Sequence, residues 1–135
     1  MVVRLLIAAG VMVLAVVVAA ALRRRRASDP PTQPRFEPPS QIDRADFEGA
    51  GWLVAVFTSD TCSTCADVVR KAEVVRSDDV TVQVASYQAR RDLHDRYRID
   101  AVPLVLIAGP DGVVRASFVG PVSAADLWSA IADRD

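Results

Sequence analysis

The chain has 135 residues, a length that allows one domain and little else, and its formal net charge at pH 7 is −1. The arginines at position 4 and positions 23–26 mask an acidic remainder, because without them 11 basic and 17 acidic residues are left, a balance of −6. An acidic domain disfavours a nucleic acid as partner, since phosphate groups are bound by lysine and arginine.

The N-terminal segment is apolar and ends in a block of arginines. Residues 5–22 form an apolar run of 18, which is at the lower end of what spans a bilayer, and Arg23 to Arg26 follow at once. A signal peptide carries its positive charge before the apolar core, whereas here the larger basic block comes after it. We therefore expect residues 1–22 to be an uncleaved transmembrane anchor with the arginines at the membrane interface, rather than a cleaved signal peptide.

Residues 23–40 are expected to link this anchor to the domain. Prolines at positions 30, 31, 34, 38 and 39 follow the arginines, and proline-rich sequence is extended and semi-rigid. At about 3 Å per residue, such a spacer could hold a domain roughly 40 Å from the membrane. A proline-rich recognition motif is the alternative interpretation.

Residues 41–135 are expected to fold as one domain whose elements follow from hydrophobic periodicity and turn residues. The predicted elements are a short helix over 42–48, a strand over 52–58, a helix over 66–76, a strand over 80–86, a helix over 92–98, strands over 104–108 and 113–119 joined by a Gly-Pro-Asp-Gly turn, and a last helix capped by Ser123. A brief additional strand over 33–37 is possible. The order β-α-β-α-β-β-α predicts a mixed four-stranded sheet with helices on both faces, because the β-α-β part requires parallel strands and the hairpin adds antiparallel ones.

The cysteines are the most informative residues. The chain has only two, Cys62 and Cys65, between a predicted strand and a predicted helix. A thiol at a helix N-terminus loses its proton more readily, and the thiolate is the nucleophile in disulfide exchange. A zinc site needs four ligands, and His94 is the one histidine. A purely structural disulfide is disfavoured, because so small a loop constrains the unfolded chain little. The pair therefore predicts a redox-active dithiol with no metal or cofactor, and two inert buried thiols are the alternative.

At this point the chain resembles the thioredoxin family over about residues 42 to 133. The residues that carry the resemblance are Cys62-x-x-Cys65, Val102-Pro103 at the end of the run from Tyr97, and Val119-Gly120 before the last helix. The resemblance implies a thioredoxin-like oxidoreductase acting on protein disulfides and dithiols. It also implies a cis Val102–Pro103 bond opposite Cys62, with Val102 and Pro103 offering a strand-like edge to the substrate chain. Cys62 is expected to attack the partner, and Cys65 to resolve the mixed disulfide.

Some positions depart from the family pattern. Thr61 stands where the family has a tryptophan before the first cysteine, and Ser63-Thr64 stand where it has Gly-Pro. The family's buried acid falls on Val56, and its lysine partner falls near Val84. We therefore expect slower deprotonation of the second cysteine and a different redox poise.

Other polar residues near the pair have two interpretations each. Asp60, Ser63 and Thr64 are candidates for tuning the thiols, but Asp60 could be a solvated loop carboxylate and the two hydroxyls could simply cap the helix. His94 is expected to be a surface histidine, away from the site. Trp52 and Trp128 are expected to be packing residues.

Arginine distribution favours a cytoplasmic domain. Arg4 precedes the span and Arg23 to Arg26 follow it, and the side richer in lysine and arginine stays in the cytoplasm. We therefore expect a single-pass protein of the cell membrane with its N-terminus outside. The leading hypothesis is a membrane-tethered thiol-disulfide oxidoreductase. The alternatives are an extracytoplasmic thiol reductase for cytochrome c maturation and a non-enzymatic thioredoxin-fold module for redox sensing or binding.

Overall fold

A computed structural model of the protein describes residues 1–26 and 36–134. The chain divides into two units, Met1–Arg35 and Phe36–Asp135. The expectation of a brief strand over 33–37 falls largely outside the described residues.

The first unit contains one long helix, α1, which is Val2–Arg26. The 20 residues Val2–Ala21 are long and apolar enough to cross a membrane, because at 1.5 Å per residue they match a hydrocarbon core of about 30 Å. A signal sequence near an N-terminus has the same length and composition. The helix is therefore a candidate membrane span.

The second unit is built on a four-stranded sheet of order β2-β1-β3-β4. Its strands are β1 (Trp52–Thr58), β2 (Val80–Ser86), β3 (Leu104–Ala108) and β4 (Val114–Val119). Strand β1 pairs in parallel with β2 and antiparallel with β3, and β3 pairs antiparallel with β4. The predicted mixed four-stranded sheet is confirmed.

Three helices cover this sheet: α2 (Cys65–Val74), α3 (Arg91–Arg96) and α4 (Ala124–Ala132). The cap of α4 is the predicted one, because the Ser123 side chain accepts a hydrogen bond from the Asp126 N–H. Each helix begins within two residues of its expected start, and α2 and α3 each end two residues before their expected ends.

Side chains alternate along the strands and divide the core in two. The buried cluster on one face, here the α2-side core, consists of Val54, Val56, Val68, Ala72, Val75, Val80, Val82, Val105, Ile107, Val122, Leu127 and Ile131. The cluster on the other face, the α3-side core, consists of Ile42, Phe47, Leu53, Ala55, Phe57, Ala85, Leu93, Leu104, Leu106 and Ala108. Helices α2 and α4 thus pack on one face and α3 on the other.

The helix expected over 42–48 is wrong. The segment forms a single 3-10 turn, Arg44–Asp46, which begins with the Asp43 carboxylate accepting the Ala45 N–H at 2.9 Å. Phe47 then adopts an extended conformation and its ring enters the α3-side core. Burial of this ring ends the turn, because a continued helix would carry Phe47 around the axis.

The residues before this turn lie beside the start of β4. Gln41 forms an isolated antiparallel bridge with Val113. The Ile42 N–H donates to the Gly112 carbonyl, and the Val114 N–H donates to the Ser40 carbonyl, each at 2.9 Å. Glycine is required at position 112, where φ is +78° and a side chain would collide with the Ile42 carbonyl.

His94 is buried, with 3% of its surface exposed, so the expectation of a surface histidine is wrong. Helix α3 directs two adjacent residues, Leu93 and His94, toward the sheet. The imidazole Nε2 donates to the Ala85 carbonyl at 2.9 Å, and the ring meets Phe57 and Tyr87 edge to face. A backbone carbonyl of the edge strand β2 thereby gains the partner that burial demands.

Trp128 is 51% exposed, so the expectation that it packs inside is wrong. The buried residues of α4 are Leu127 and Ile131, and a residue directly after Leu127 lies about 100° around the helix from it. Trp52, in contrast, does pack against the α2-side core.

Candidate active site

The two cysteines lie where β1 passes into α2. They form a disulfide with 5.5 Å between their Cα atoms. Cys62 is half-buried in the loop before the helix, whereas Cys65 is the first residue of α2 and is 4% exposed. The first cysteine is therefore accessible to a partner molecule and the second is shielded.

The start of α2 provides groups that stabilise negative charge near Cys62. Thr64 is the residue before the helix, and its side chain makes no capping hydrogen bond. Its hydroxyl oxygen instead lies 3.7 Å from the Cys62 Sγ. The helix N-terminus carries partial positive charge, so a thiolate at Cys62 would gain both the helix dipole and a hydroxyl donor. Ser63 is exposed beside it.

Hydrogen bonds from a neighbouring loop brace the residues before Cys62. The Gln88 amide accepts from the Asp60 N–H at 3.0 Å and donates to the Ser59 hydroxyl at 3.3 Å. The Cys62 N–H closes a turn onto the Ser59 carbonyl at 3.0 Å. Asp60 itself is exposed, as a solvated loop carboxylate would be. The sequence gives no signal for Gln88, which is one polar residue in the short connection between a predicted strand and a predicted helix.

The Val102–Pro103 peptide bond is cis, as the resemblance implies. Pro103 is buried and directly precedes β3, whose first residue, Leu104, pairs with Phe57 near the end of β1. Its carbonyl accepts the Gly120 N–H at 2.8 Å. The cis proline and the disulfide therefore lie at the same end of the sheet.

A row of three valines crosses the sheet on the α2 face. Val56 is fully buried and pairs with Val84 on β2 and Val105 on β3. Val84 is 38% exposed at the edge of the row. The resemblance places the family's buried acid at Val56 and its lysine partner near Val84, and in this chain these two positions are adjacent and apolar.

The one lysine of the chain joins α2 to the loop after β4. The Lys71 ammonium donates to the Val122 carbonyl at 3.0 Å and pairs with Asp67 at 2.7 Å. Arg70 also bonds Asp67, at 2.7 Å. Hydrogen bonds from Lys71 and then Arg70 lower the pKa of the exposed Asp67 carboxyl.

A cavity of about 480 Å³ lies elsewhere, beside the turn between β3 and β4. On its lining Arg96 pairs with Asp43 at 3.5 Å, and it also contacts Asp46 at 3.0 Å. The Nε and Nη1 atoms of Arg44, in contrast, are buried without a hydrogen-bond partner among the described residues. The Tyr97 hydroxyl donates to Asp46, and burial together with this bond raises the Tyr97 pKa. This end of the sheet is opposite to the disulfide, and the paired groups hold α3 against the 3-10 turn.

Neither a protein-family model nor a curated protein sequence matches this chain. Among solved structures, a malarial protein is similar over 61% of this chain and 94% of its own, with 14% identity and a TM-score of 0.55. StoA from Bacillus subtilis is similar over 62% of this chain and 84% of its own, with 14% identity and a TM-score of 0.51. A mutant thioredoxin from Halobacterium salinarum NRC-1 is similar over 59% of this chain and 71% of its own, with 22% identity and a TM-score of 0.53. The chain therefore has a thioredoxin-like fold, with a Cys62–Cys65 disulfide where its first strand passes into the helix that follows.

Proposed function

We propose that this protein is a membrane-tethered thiol-disulfide oxidoreductase that exchanges disulfides with protein partners through Cys62 and Cys65. The observation that carries the proposal is the unequal burial of a disulfide at a helix start: Cys62 is accessible and Cys65 is 4% exposed. This asymmetry suits a reaction in which one sulfur meets the partner and the other completes the exchange within the protein.

In the reducing direction, both cysteines begin as thiols. The Cys62 thiolate attacks a partner disulfide, forms a mixed disulfide with one partner sulfur and releases the other as a thiolate. The Cys65 thiolate then attacks the Cys62 sulfur, which forms the Cys62–Cys65 disulfide and releases the second partner thiolate. Two electrons pass to the partner, and the reverse sequence oxidises a partner dithiol.

The edge at Val102 and Pro103 is proposed to bind the partner chain. Proline has no N–H, so the backbone before it can pair with an extended peptide without competition from a neighbouring strand. Val102 is half-buried at this edge. A protein partner would be held there while its disulfide meets Cys62.

Turnover of a protein disulfide tests the proposal. The full-length protein in detergent should accelerate insulin reduction by dithiothreitol, and Cys62→Ser should abolish the acceleration. Cys65→Ser should also stop turnover, and when the reduced variant is mixed with insulin in the absence of dithiothreitol it should accumulate a mixed disulfide through Cys62, which non-reducing gels and mass spectrometry detect. A wild-type rate equal to the dithiothreitol background would favour the alternative of a redox-sensing or binding module.

For membrane attachment, we propose an anchor over residues 1–22, a linker over 23–40 and a catalytic domain over 41–135. The helix Val2–Ala21 is long and apolar enough to span a bilayer. We further propose that the domain faces the cytoplasm, because moving the arginines of positions 23–26 across an energised membrane costs about 2 kcal/mol per charge per 100 mV.

A reporter cysteine decides the sidedness. Ser28→Cys, placed in a Cys62→Ser/Cys65→Ser background, should resist a membrane-impermeant maleimide in intact cells and react after lysis. Labelling without lysis would put the domain outside and support the extracytoplasmic reductase for cytochrome c maturation. Recovery of a shortened chain, in either the membrane fraction or the soluble fraction, would instead indicate a cleaved signal sequence.

A further inference from the structure

The proposed reaction site consists of two segments that are far apart in the sequence, the start of α2 with the disulfide and the residues at Pro103. The helix α2 begins with Cys65, and the loop after β4 holds the cis proline through the Gly120 N–H, which donates to the Pro103 carbonyl at 2.8 Å. Disulfide exchange requires the Cys62 sulfur to approach along the line of the partner's S–S bond, so small shifts between the two segments affect the reaction.

Lys71 connects these two segments. Lys71 lies about 1.7 turns into α2 from Cys65, and its ammonium group donates to the Val122 carbonyl at 3.0 Å. Val122 is 5% exposed and belongs to the α2-side core, so the loop after β4 is anchored in the core at the residue that accepts this bond. A continuous path therefore runs from α2 through Lys71 and Val122 to Gly120 and from there to Pro103.

Asp67 directs the Lys71 side chain toward the loop. The carboxylate contacts both Lys71 and Arg70 at 2.7 Å. The Arg70 side chain is 76% exposed, whereas the Lys71 side chain is 33% exposed. Two cations on one helix thus share one acidic partner, and Lys71 is the one that also bonds Val122.

We infer that Lys71 is a positioning residue that sets the peptide-binding edge at Pro103 relative to the disulfide on α2. The inference rests on the proposed function. It predicts a difference between substrates, because a protein disulfide is held by the edge while a small disulfide reaches Cys62 without it. Removing the Lys71 amine should therefore impair reaction with protein disulfides selectively.

The test compares two substrates and two matched variants in the full-length protein in detergent. Lys71→Met keeps the approximate length of the side chain and removes the amine. Arg70→Met is the control, because it also removes one positive charge from α2 and one ion pair with Asp67. For insulin, Lys71→Met should lower kcat/KM roughly three- to tenfold, mainly through KM, as expected for one charge-assisted hydrogen bond at a partly exposed site. Arg70→Met should change it less than about twofold.

Reduction of 2-hydroxyethyl disulfide, a neutral small molecule, should be unchanged in both variants, as should the reduction potential of the pair. Lys71→Arg should recover part of the insulin activity, since a guanidinium can also donate to Val122. Equal losses in Lys71→Met and Arg70→Met would overturn the inference and assign the effect to helix charge. Equal losses on both substrates would overturn it as well, since the edge would then be irrelevant.

Amide exchange separates failure of this inference from failure of the proposed function. In Lys71→Met the Gly120 amide, followed by NMR, should exchange faster with solvent than in wild type, and in Arg70→Met it should not. A protein that reduces no insulin but shows this change would refute the oxidoreductase and retain the connection. Unchanged Gly120 exchange in a folded Lys71→Met protein would refute the connection itself.

Discussion

Val56→Asp tests whether the row of valines limits the second step of exchange. Val56 is fully buried on the α2 face between Val84 and Val105, where the resemblance places the family's buried acid. A carboxylate there would lie beneath α2, the helix that begins with Cys65. It would supply a proton acceptor in a region where the side chains paired across the sheet, Val84 and Val105, are apolar.

The substitution should be costly for stability. Loss of a fully buried valine side chain forfeits about 1.5–3 kcal/mol of burial, and placing an unpaired carboxyl group there costs about 1–3 kcal/mol more. The total of roughly 2.5–6 kcal/mol is a large part of the 5–15 kcal/mol that typically stabilises a domain. Burial raises the pKa of the new carboxyl above its unfolded value of about 3.9. Since the unfolded state then ionises first, the penalty is smallest below about pH 4 and grows as the pH rises.

Val56→Asn is the matched control because it is polar and of the same size but does not titrate. Urea unfolding of the full-length protein in detergent, followed by the fluorescence of the two tryptophans, should show a pH-dependent loss in Val56→Asp and a pH-independent one in Val56→Asn. Reaction of the reduced protein with Ellman's reagent should release thionitrobenzoate in two phases, from attack by Cys62 and then by Cys65. The second phase should be roughly tenfold faster or more in Val56→Asp than in Val56→Asn near pH 7.

Equal second phases in folded Val56→Asp and Val56→Asn would refute the reasoning. Such a result would mean that water or another group already accepts the proton from Cys65. Acceleration of both phases would also contradict it, because the first phase depends on Cys62, which is accessible to solvent without any buried base.

Further predictions concern stability. His94→Leu removes the donor to the Ala85 carbonyl at 2.9 Å, so the free energy of unfolding in urea should fall by about 1–3 kcal/mol, and His94→Gln should recover part of it by donating again. Ser123→Ala removes the cap on the Asp126 N–H at 3.1 Å and should lower the unfolding free energy by about 1 kcal/mol, with Ser123→Asp as the control that still caps. The lowered pKa of Asp67 predicts stability that is present above about pH 4 and lost as the pH falls through the lower folded value. This acid-side loss should shrink in Asp67→Asn, and an unchanged pH profile would contradict that assignment.

Strand and helix order could be predicted because the apolar pattern of this chain has few alternatives. Strands β1 and β3 are short apolar runs between turn residues and are buried almost throughout, which is typical of central strands. Helices α2 and α4 show one apolar face each, and Ser123 marks the start of the second. The placement of the cis proline opposite Cys62 came from the resemblance to the thioredoxin family, and the antiparallel pairing of β1 and β3 is what brings the two to one end of the sheet.

The errors arose where the position of a side chain depends on residues of other elements. His94 is polar, and only the Ala85 carbonyl at 2.9 Å makes its burial favourable. The sequence also gives no signal for the bond from Lys71 to the carbonyl of Val122, which is 51 residues away. Backbone carbonyls are present at every position, so no pattern in the sequence distinguishes the ones that lack a partner. Phe47 ended the expected first helix for a similar reason, because its place in the core depends on residues of β1 and α3.

In the proposed reaction the two cysteines act in different steps, and each step depends on different neighbours of the helix start. Cys62 lies outside the helix beside the Thr64 hydroxyl at 3.7 Å and the uncapped N-terminus of α2, so the groups that favour its thiolate act on the attack. Cys65 is inside the helix and shielded from water, so its deprotonation depends on what the sheet presents beneath α2. In this chain the sheet presents valine at the matching position. A mixed disulfide with Cys62 should consequently form readily and resolve slowly. Slow resolution lengthens the time for which the partner remains bound, so the contacts that hold the partner at Pro103 become more important.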